Sequence, residues 1–147
     1  MKLSTKTRYG IRALLDIAQH DHEGLVLLRD IAKRQEISRN YLEQILISLK
    51  AAGLVRSERG NRGGFILAKA PSEIRLDEAV QVLEGKMALV ECVNDPKVCP
   101  RTSFCPTQEL WGEVTAAMTQ VLKSKTLQDL LEMQKLKGCP RSDMYYI

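Results

Sequence analysis

Three cysteines lie in one stretch of the chain, Cys92, Cys99 and Cys105, spaced C-x6-C-x5-C, and Cys139 stands far downstream. Cys99, Cys105 and Cys139 are each followed directly by proline. Proline has no amide donor and a fixed φ, and both properties suit a short loop that holds thiolates around a metal centre. These cysteines are therefore candidate ligands rather than inert core residues.

The loop cysteines could serve one of three kinds of chemistry: a zinc site, a redox switch or an iron–sulfur cluster. Structural zinc usually has C-x2-C spacing and four closely set ligands, a pattern that this sequence lacks. A redox switch of bare thiols needs accessible thiolates, which Lys97 and Arg101 would favour electrostatically. An iron–sulfur cluster matches the widely spaced thiolates best. We therefore favour the cluster and keep zinc and bare thiols as alternatives.

A helix-turn-helix pattern occupies part of the first half of the chain. Apolar residues at helical spacing predict one helix over 28–34 and a second from Ser38 to Gly53, with a short strand expected over 25–28. Ser38 is a suitable N-cap, and glycine is the residue most often found just after a helix. Since only residues 35–37 join the two helices, the segment predicts a tight turn between them.

A basic hairpin follows these helices. Residues 54–55 and 65–68 are predicted strands, and the glycines between them provide positive-φ positions for a turn. Arg56, Arg59 and Arg62 lie in or next to this turn, opposed only by Glu58. A basic hairpin directly after a helix-turn-helix predicts a wing.

The second helix of the pair is suited to reading DNA in the major groove. Its polar residues lie on the face left free by the apolar ones, and Arg, Asn or Gln, and Glu pair with guanine, adenine and cytosine respectively. Tyr41 could donate to a phosphate, and arginines of the wing could reach phosphates or the minor groove. The predicted DNA-binding residues are Leu28, Ser38, Arg39, Asn40, Tyr41, Glu43, Gln44, Arg56, Arg59 and Arg62.

The second half is predicted to be mostly helical, with a long helix after the cysteine loop. Trp111, Val114, Met118 and Val121 form a stripe on that helix, and we interpret it as a homodimer seam. Two recognition helices related by a two-fold axis would suit a pseudo-palindromic operator. The predicted fold is mainly α with a small β-hairpin wing, a winged helix-turn-helix with a long C-terminal dimerisation helix. We divide it into a DNA-binding domain, 1–75, and a cluster-binding and dimerisation part, 76–147.

Charge and composition narrow the class of function. Residues 1–75 carry 14 Lys and Arg against 8 Asp and Glu, whereas residues 76–147 carry 8 against 10. A basic first half is expected to meet a polyanion. No apolar run approaches the roughly 18 residues that a membrane span needs, and the polar start predicts a cytoplasmic protein without a secretory signal. Neither a catalytic set nor a phosphate-binding loop is recognisable, so we expect no enzyme.

Several short motifs occur together in this chain: Leu3-Ser4, Arg8-Tyr9, Ser38 to Gln44, Gly53-Leu54-Val55, Arg59-Gly60, Gly63-Gly64, the three loop cysteines and Leu110-Trp111. On these residues the chain resembles the IscR-like family of winged-helix, iron–sulfur cluster-sensing transcription regulators, and the resemblance covers nearly its whole length. That family implies a cytoplasmic repressor or activator of iron–sulfur cluster assembly genes that senses cluster status through a labile cluster, usually [2Fe–2S]. It also implies that Tyr41, Glu43 and Arg59 lie at the DNA interface, where Glu43 helps the two forms of the protein choose different sites.

Two departures from the family pattern concern the cluster. The family usually has one residue fewer between its first two cysteines, and its fourth ligand is a histidine where this chain has Gln108. We expect Cys92, Cys99 and Cys105 with a weak oxygen ligand, Gln108 or Glu109, while Cys139 is possible if the tail folds back. The alternative is a related regulator that senses nitric oxide or oxidants through a [4Fe–4S] cluster or bare thiols.

Overall fold

A computed structural model describes residues 2–60 and 63–138, which form seven α-helices and one two-stranded antiparallel hairpin. Short 3₁₀ turns at 21–23, 71–73, 96–98 and 102–104 join several of these elements. The elements in chain order are α1 (Thr5–His20), α2 (Leu28–Gln35), α3 (Arg39–Ala51), β1 (Val55–Glu58), β2 (Gly64–Leu67), α4 (Leu76–Glu84), α5 (Glu91–Asn94), α6 (Pro106–Lys123) and α7 (Leu127–Lys137).

Helices α2 and α3 form the predicted helix-turn-helix. The Ser38 hydroxyl accepts a hydrogen bond from the Tyr41 amide at 3.3 Å, so it caps α3 as expected. Glu36 adopts a left-handed conformation with φ of 55°, which allows the chain to reverse within three residues. Gly53, with φ of 75°, then ends the α3 region and leads the chain into β1.

The wing is the antiparallel pair β1–β2, with Val55 opposite Leu67 and Glu58 opposite Gly64. The strand predicted over 25–28 is wrong in extent, because α2 already begins at Leu28 and only Val26 pairs with the sheet. Val26 and Phe65 exchange two backbone hydrogen bonds of 2.8 Å each. Strand β2 of the wing is therefore attached to the segment that enters α2.

Helix α1 lies at the centre of the core. It packs against α2, α3, α4 and α7, and its residues Leu14 and Ile17 are fully buried. Leu83 of α4 and Leu127 of α7 belong to the same buried cluster as the helix-turn-helix residues. Residues on both sides of position 75 thus share one core, and the division at that position stays a prediction about function.

Two contacts fix α1 against α4. Gly10 of α1 is buried beneath Leu83, so closely that a Cβ at Gly10 would lie 2.9 Å from Leu83 Cδ2. At the end of α4, the carboxylate of Glu84 accepts hydrogen bonds from the Ser4 amide at 3.1 Å, the Ser4 hydroxyl at 2.7 Å and the Thr7 hydroxyl. The helix that precedes the cysteine loop is therefore held directly to the central helix.

Helix α6 has 18 residues, yet Thr115 is the single buried residue that it contributes to the described structure. Leu110, Trp111 and Val121 are 49%, 37% and 61% exposed, and Val114 and Met118 are half-buried. The predicted apolar stripe thus lies on a largely uncovered helix face. Among the described residues, no helix is both long and apolar enough to cross a lipid bilayer.

Candidate nucleic-acid interface and cysteine loop

The starts of α2 and α3 and the turn of the wing border one groove of about 490 Å³. This groove brings together four of the residues predicted to bind DNA, namely Leu28, Arg39, Asn40 and Glu43. Gly60 and Gly63 form its wing side, where the absence of side chains leaves the backbone accessible. The remaining lining residues, Leu27 and Arg29, were not predicted from the sequence.

The other predicted DNA-binding residues surround this groove or lie farther along the same elements. Ser38, Gln44, Arg56 and Arg59 are exposed on α3, its N-cap and the wing. Tyr41 is half-buried, and its ring meets the ring of Tyr9 edge-on with the centroids 6.0 Å apart. Arg62 lies outside the described residues. The exposed arginines are placed as phosphate contacts would require, while Tyr41 is oriented by α1.

Arg12 of α1 links this aromatic pair to the end of α2. Its guanidinium lies 5.3 Å from the centre of the Tyr9 ring and donates to Gln35 Oε1 at 3.1 Å and to the Gln35 carbonyl. A carbonyl in the last turn of a helix has no partner within the helix, so Arg12 caps α2 from outside. The orientation of the helix-turn-helix thus depends on side chains of α1.

Beneath this contact lies an ion pair that the sequence reasoning missed. Asp16 is 1% exposed and accepts hydrogen bonds from Arg34 Nε at 3.0 Å, Arg34 Nη2 at 2.6 Å and Gln35 Nε2 at 2.9 Å. The hydrogen bond to Asp16 raises the pKa of Arg34 above its ordinary value. The signal for it was present in the sequence, since Asp16 lies between Leu15 and Ile17 in an otherwise apolar part of α1.

The three loop cysteines lie on three successive short elements. Cys92 belongs to α5, Cys99 follows the 3₁₀ turn Pro96–Val98, and Cys105 precedes α6 as its N-cap. All three thiols are free and half-buried. Gln108, the predicted fourth ligand, donates from Nε2 to the carbonyl oxygen of Cys92 at 3.4 Å and so connects α6 with α5.

Cys105 has the most polarised environment of the loop. The Thr107 hydroxyl lies 3.1 Å from the Cys105 sulfur, and the backbone N–H of Gln108 also points to it. These hydrogen bonds stabilise the thiolate and lower the pKa of Cys105, with a smaller contribution from the charge of Arg101. These contacts favour the thiolate of Cys105, the form that acts as a ligand or nucleophile.

The donor set suits an iron–sulfur cluster in kind, since three accessible thiols lie in one proline-rich loop. Within residues 2–60 and 63–138, however, no three His, Cys, Asp or Glu side chains are gathered closely enough to hold a metal ion. Glu109 is exposed in the first turn of α6, and Cys139 lies outside the described residues. Binding of a cluster would thus require the loop to draw its three thiols together.

Comparison with known proteins identifies a family for this architecture. A family model described as an iron-dependent transcriptional regulator, Rrf2, matches residues 3–133. The Rrf2 protein of Nitratidesulfovibrio vulgaris is 43% identical over 142 residues, covering 97% of this chain and 93% of that protein.

Two solved structures are similar along nearly their whole length. IscR of T. potens is 39% identical with a TM-score of 0.78, covering 99% of this chain and 97% of the other. CymR, described as the global cysteine regulator of Bacillus subtilis, is 37% identical with a TM-score of 0.76, covering 90% and 98%.

These relatives are regulators of transcription and not enzymes, which confirms that expectation for this chain, and the predicted winged-helix fold is confirmed by the same neighbours. Regulators of transcription act on DNA, and the basic wing and polar recognition helix described above are consistent with that activity. On the extent of the family match and the identity to its members, the chain belongs to the Rrf2 family of transcriptional regulators and is IscR-like within it.

Proposed function

We propose that this regulator acts as a homodimer on a pseudo-palindromic operator of iron–sulfur cluster assembly genes, and that it senses cluster status through a labile [2Fe–2S] cluster. The observation that carries the proposal is the placement of three accessible thiols between α4, which packs on the central helix, and α6, which exposes an apolar face. The thiols therefore lie where a change in the loop reaches both the DNA-binding helices and the proposed dimer seam.

The residues in and around the groove would make two kinds of contact with DNA, to bases and to phosphates. Arg39 can donate two hydrogen bonds to guanine, Asn40 can pair with adenine, and Glu43 can accept from the amino group of cytosine. Arg56 and Arg59 on the wing, both exposed, would contact phosphates. Contacts of the first kind select a sequence, whereas those of the second kind fix the position of the protein on the duplex.

The dimer seam is assigned to α6. Leu110, Trp111 and Val121 are exposed on this helix, and large apolar side chains grouped in that way usually meet a partner. A two-fold axis along this seam would place one recognition helix in each half of an operator. The stripe of Trp111, Val114, Met118 and Val121 is thus the interface we propose.

Cys92, Cys99 and Cys105 would hold the cluster, which when bound supplies a redox-active, oxygen-sensitive link between the three thiolates. Hydrogen bonds to its sulfur lower the pKa of Cys105, which favours the thiolate form that binds iron. The Gln108 side chain lies beside Cys92, and its amide oxygen is our choice for the weak fourth position, ahead of Glu109 and Cys139. A neutral amide is a poor ligand for iron, so we expect the bound cluster to be lost easily.

The test is an anaerobic ultraviolet–visible spectrum of freshly purified protein with iron and sulfide counted per chain. Visible bands with about two irons and two sulfides would support the proposal, and Cys99→Ser should abolish them. The fourth ligand is the residue whose replacement by alanine weakens these visible bands, and the variants to compare are Gln108→Ala, Glu109→Ala and Cys139→Ala. Failure to reconstitute any coloured species would refute cluster sensing while leaving the DNA-binding regulator intact.

A second candidate is sensing of oxidants by bare thiols, and the lowered pKa of Cys105 favours it. In that case the protein stays colourless, and peroxide changes its affinity for DNA unless Cys105 is replaced by serine. About four irons per cluster, with bands bleached by nitric oxide, would instead support the [4Fe–4S] alternative.

A further inference from the structure

Arg29 is the charged residue of the DNA groove that sequence reasoning did not identify. It occupies the second position of α2 and lines the groove together with Arg39 and Glu43. Of the groove-lining residues that the structure describes, Arg29 and Arg39 are cations and Glu43 is an anion. Among the described lining residues, the charges of Arg39 and Glu43 cancel, so Arg29 supplies the excess positive charge that would favour a polyanion.

The side chain of Arg29 is free to turn toward a ligand. It is 66% exposed, and its ion pair with the neighbouring Asp30 is 3.6 Å long between two exposed groups. Pairs of this kind contribute little to stability and are easily exchanged for another partner. The N-cap of α2, Leu27, has no side-chain hydrogen bond to the first turn, so the backbone N–H groups of Leu28 and Arg29 add positive partial charge at this end of the helix.

Glu43 makes a nearby cation necessary. It is exposed on α3 and, within the described residues, forms no ion pair. Arg39 lies one turn before it on the same helix, but an arginine that forks onto a base is no longer available to neutralise a carboxylate. A bare carboxylate next to the DNA backbone repels phosphates.

We propose that Arg29 contacts a DNA phosphate and offsets the charge of Glu43, so that the two residues act as a coupled pair in DNA binding. The inference rests on the proposed function, because it takes the groove as the DNA interface. Arg29 on α2 positions the backbone of the duplex, and this leaves Arg39 and Asn40 on α3 free for the bases.

The experiment measures binding of the purified protein to a duplex operator selected from random DNA, by fluorescence anisotropy between 50 and 200 mM salt. Arg29→Ala removes one phosphate contact per protomer, so the slope of log affinity against log salt should fall by about 0.9 for each protomer bound. For a dimer, the loss caused by Arg29→Ala is then about tenfold larger at 50 mM than at 200 mM salt. Arg29→Lys should retain most of the slope, because it keeps the charge.

A double-mutant cycle with Glu43→Gln tests the coupling. If the carboxylate and the guanidinium offset each other, Arg29→Ala should weaken binding about threefold less when Glu43 is already neutral, the effect typical of an exposed pair of opposite charges. Lys135→Ala, on the exposed face of α7 and outside the groove, is the matched control for loss of one positive charge.

The outcomes separate this inference from the function on which it rests. If the wild type binds DNA and Arg29→Ala behaves like Lys135→Ala, the inference is overturned and the regulator stands. Effects of Arg29→Ala and Glu43→Gln that simply multiply would likewise overturn the coupling. If the wild type binds no DNA at all, the proposed function fails together with the inference.

Discussion

The contact between Gly10 and Leu83 leads to a prediction whose sign is set by two opposing effects. Replacing a glycine in the middle of a helix by alanine normally stabilises it by about 1 kcal/mol. Here the new Cβ would lie 2.9 Å from Leu83 Cδ2 and 3.2 Å from Leu83 Cγ, and closer still to Cδ1. Leu83 is only 5% exposed, so it has little room to move away.

Overpacking of this kind costs about 1–3 kcal/mol, which exceeds the gain in helix propensity. We therefore expect Gly10→Ala to lower the free energy of unfolding by about 1 kcal/mol. Leu83→Ala alone should cost about 2–5 kcal/mol, because it leaves a cavity between α1 and α4. In that background the alanine at position 10 occupies vacated space, and Gly10→Ala should become stabilising by about 0.5–1 kcal/mol.

Urea unfolding of the four proteins in the cycle, followed by circular dichroism at one protein concentration, measures these differences. A constant concentration is needed because self-association would stabilise all four proteins by mass action. The reasoning is refuted if Gly10→Ala stabilises the otherwise unchanged protein. It is refuted equally if the cost of Gly10→Ala is the same with Leu83 and with alanine at position 83.

Three further predictions concern buried or polarised groups. Hydrogen bonds from Thr7 and Ser4 lower the pKa of Glu84 in the folded protein. The contribution of Glu84 to the free energy of unfolding is therefore complete above about pH 4.3, the ordinary pKa of glutamate, and is lost as the pH falls through the lower pKa of the folded state. Glu84→Gln should remove this part of the loss of stability in acid, measured by unfolding experiments over a series of pH values. Arg34→Ala should lower the free energy of unfolding by about 2 kcal/mol, because it leaves the buried carboxylate of Asp16 without its cation. Asp16→Asn should lower it by about 1 kcal/mol, because the Arg34 side chain is 32% exposed and can turn to water. Equal costs of the two variants in urea unfolding would contradict this reasoning. Thr107→Val removes the main hydrogen bond that lowers the pKa of Cys105. The pH at which alkylation of Cys105 is half-maximal should therefore rise in this variant. Mass spectrometry of the cluster-free protein measures the alkylation.

The helix-turn-helix and the wing were predictable because their signals are local. A serine cap at Ser38, a stripe of apolar residues in α3 and glycines in the hairpin turn each act over a few residues. At the start of α7 the Asp129 carboxylate accepts a hydrogen bond from the Thr126 amide at 2.7 Å, and this capping box likewise spans only a few residues. The strand expected over 25–28 failed because an apolar run of four residues does not distinguish a strand from the start of a helix.

The residues that sequence reasoning missed depend on how helices meet in three dimensions. Arg29 joins the groove only because α2 and α3 cross beside the wing, and no spacing along the chain reveals that. Asp16 and Arg34 come from different helices, and their pairing follows from the packing of α1 on α2. Side chains that act across elements therefore escape an argument built on local periodicity.

The cysteine loop shows the same limit for chemistry. The spacing of Cys92, Cys99 and Cys105 predicts which residues donate, but it does not predict that Thr107 polarises Cys105 or that Gln108 is bound to the carbonyl of Cys92. Those contacts depend on the entry of the chain into α6. The ligand set and the dimer seam stay predictions, which the spectra and variants proposed above would decide.

The two hydrogen bonds between Val26 and Phe65 have a consequence for the spacing of the half-sites in the operator. They tie the wing to the segment that enters α2, so the wing and the helix-turn-helix move together as one rigid unit. A signal from the loop that moved these two units in a dimer would alter the distance and rotation between them. One inserted base pair moves a half-site by about 3.4 Å and rotates it by about a tenth of a turn. Promoters that respond to the two states of such a regulator would thus differ in the spacing of their half-sites, as well as in the bases that Glu43 contacts.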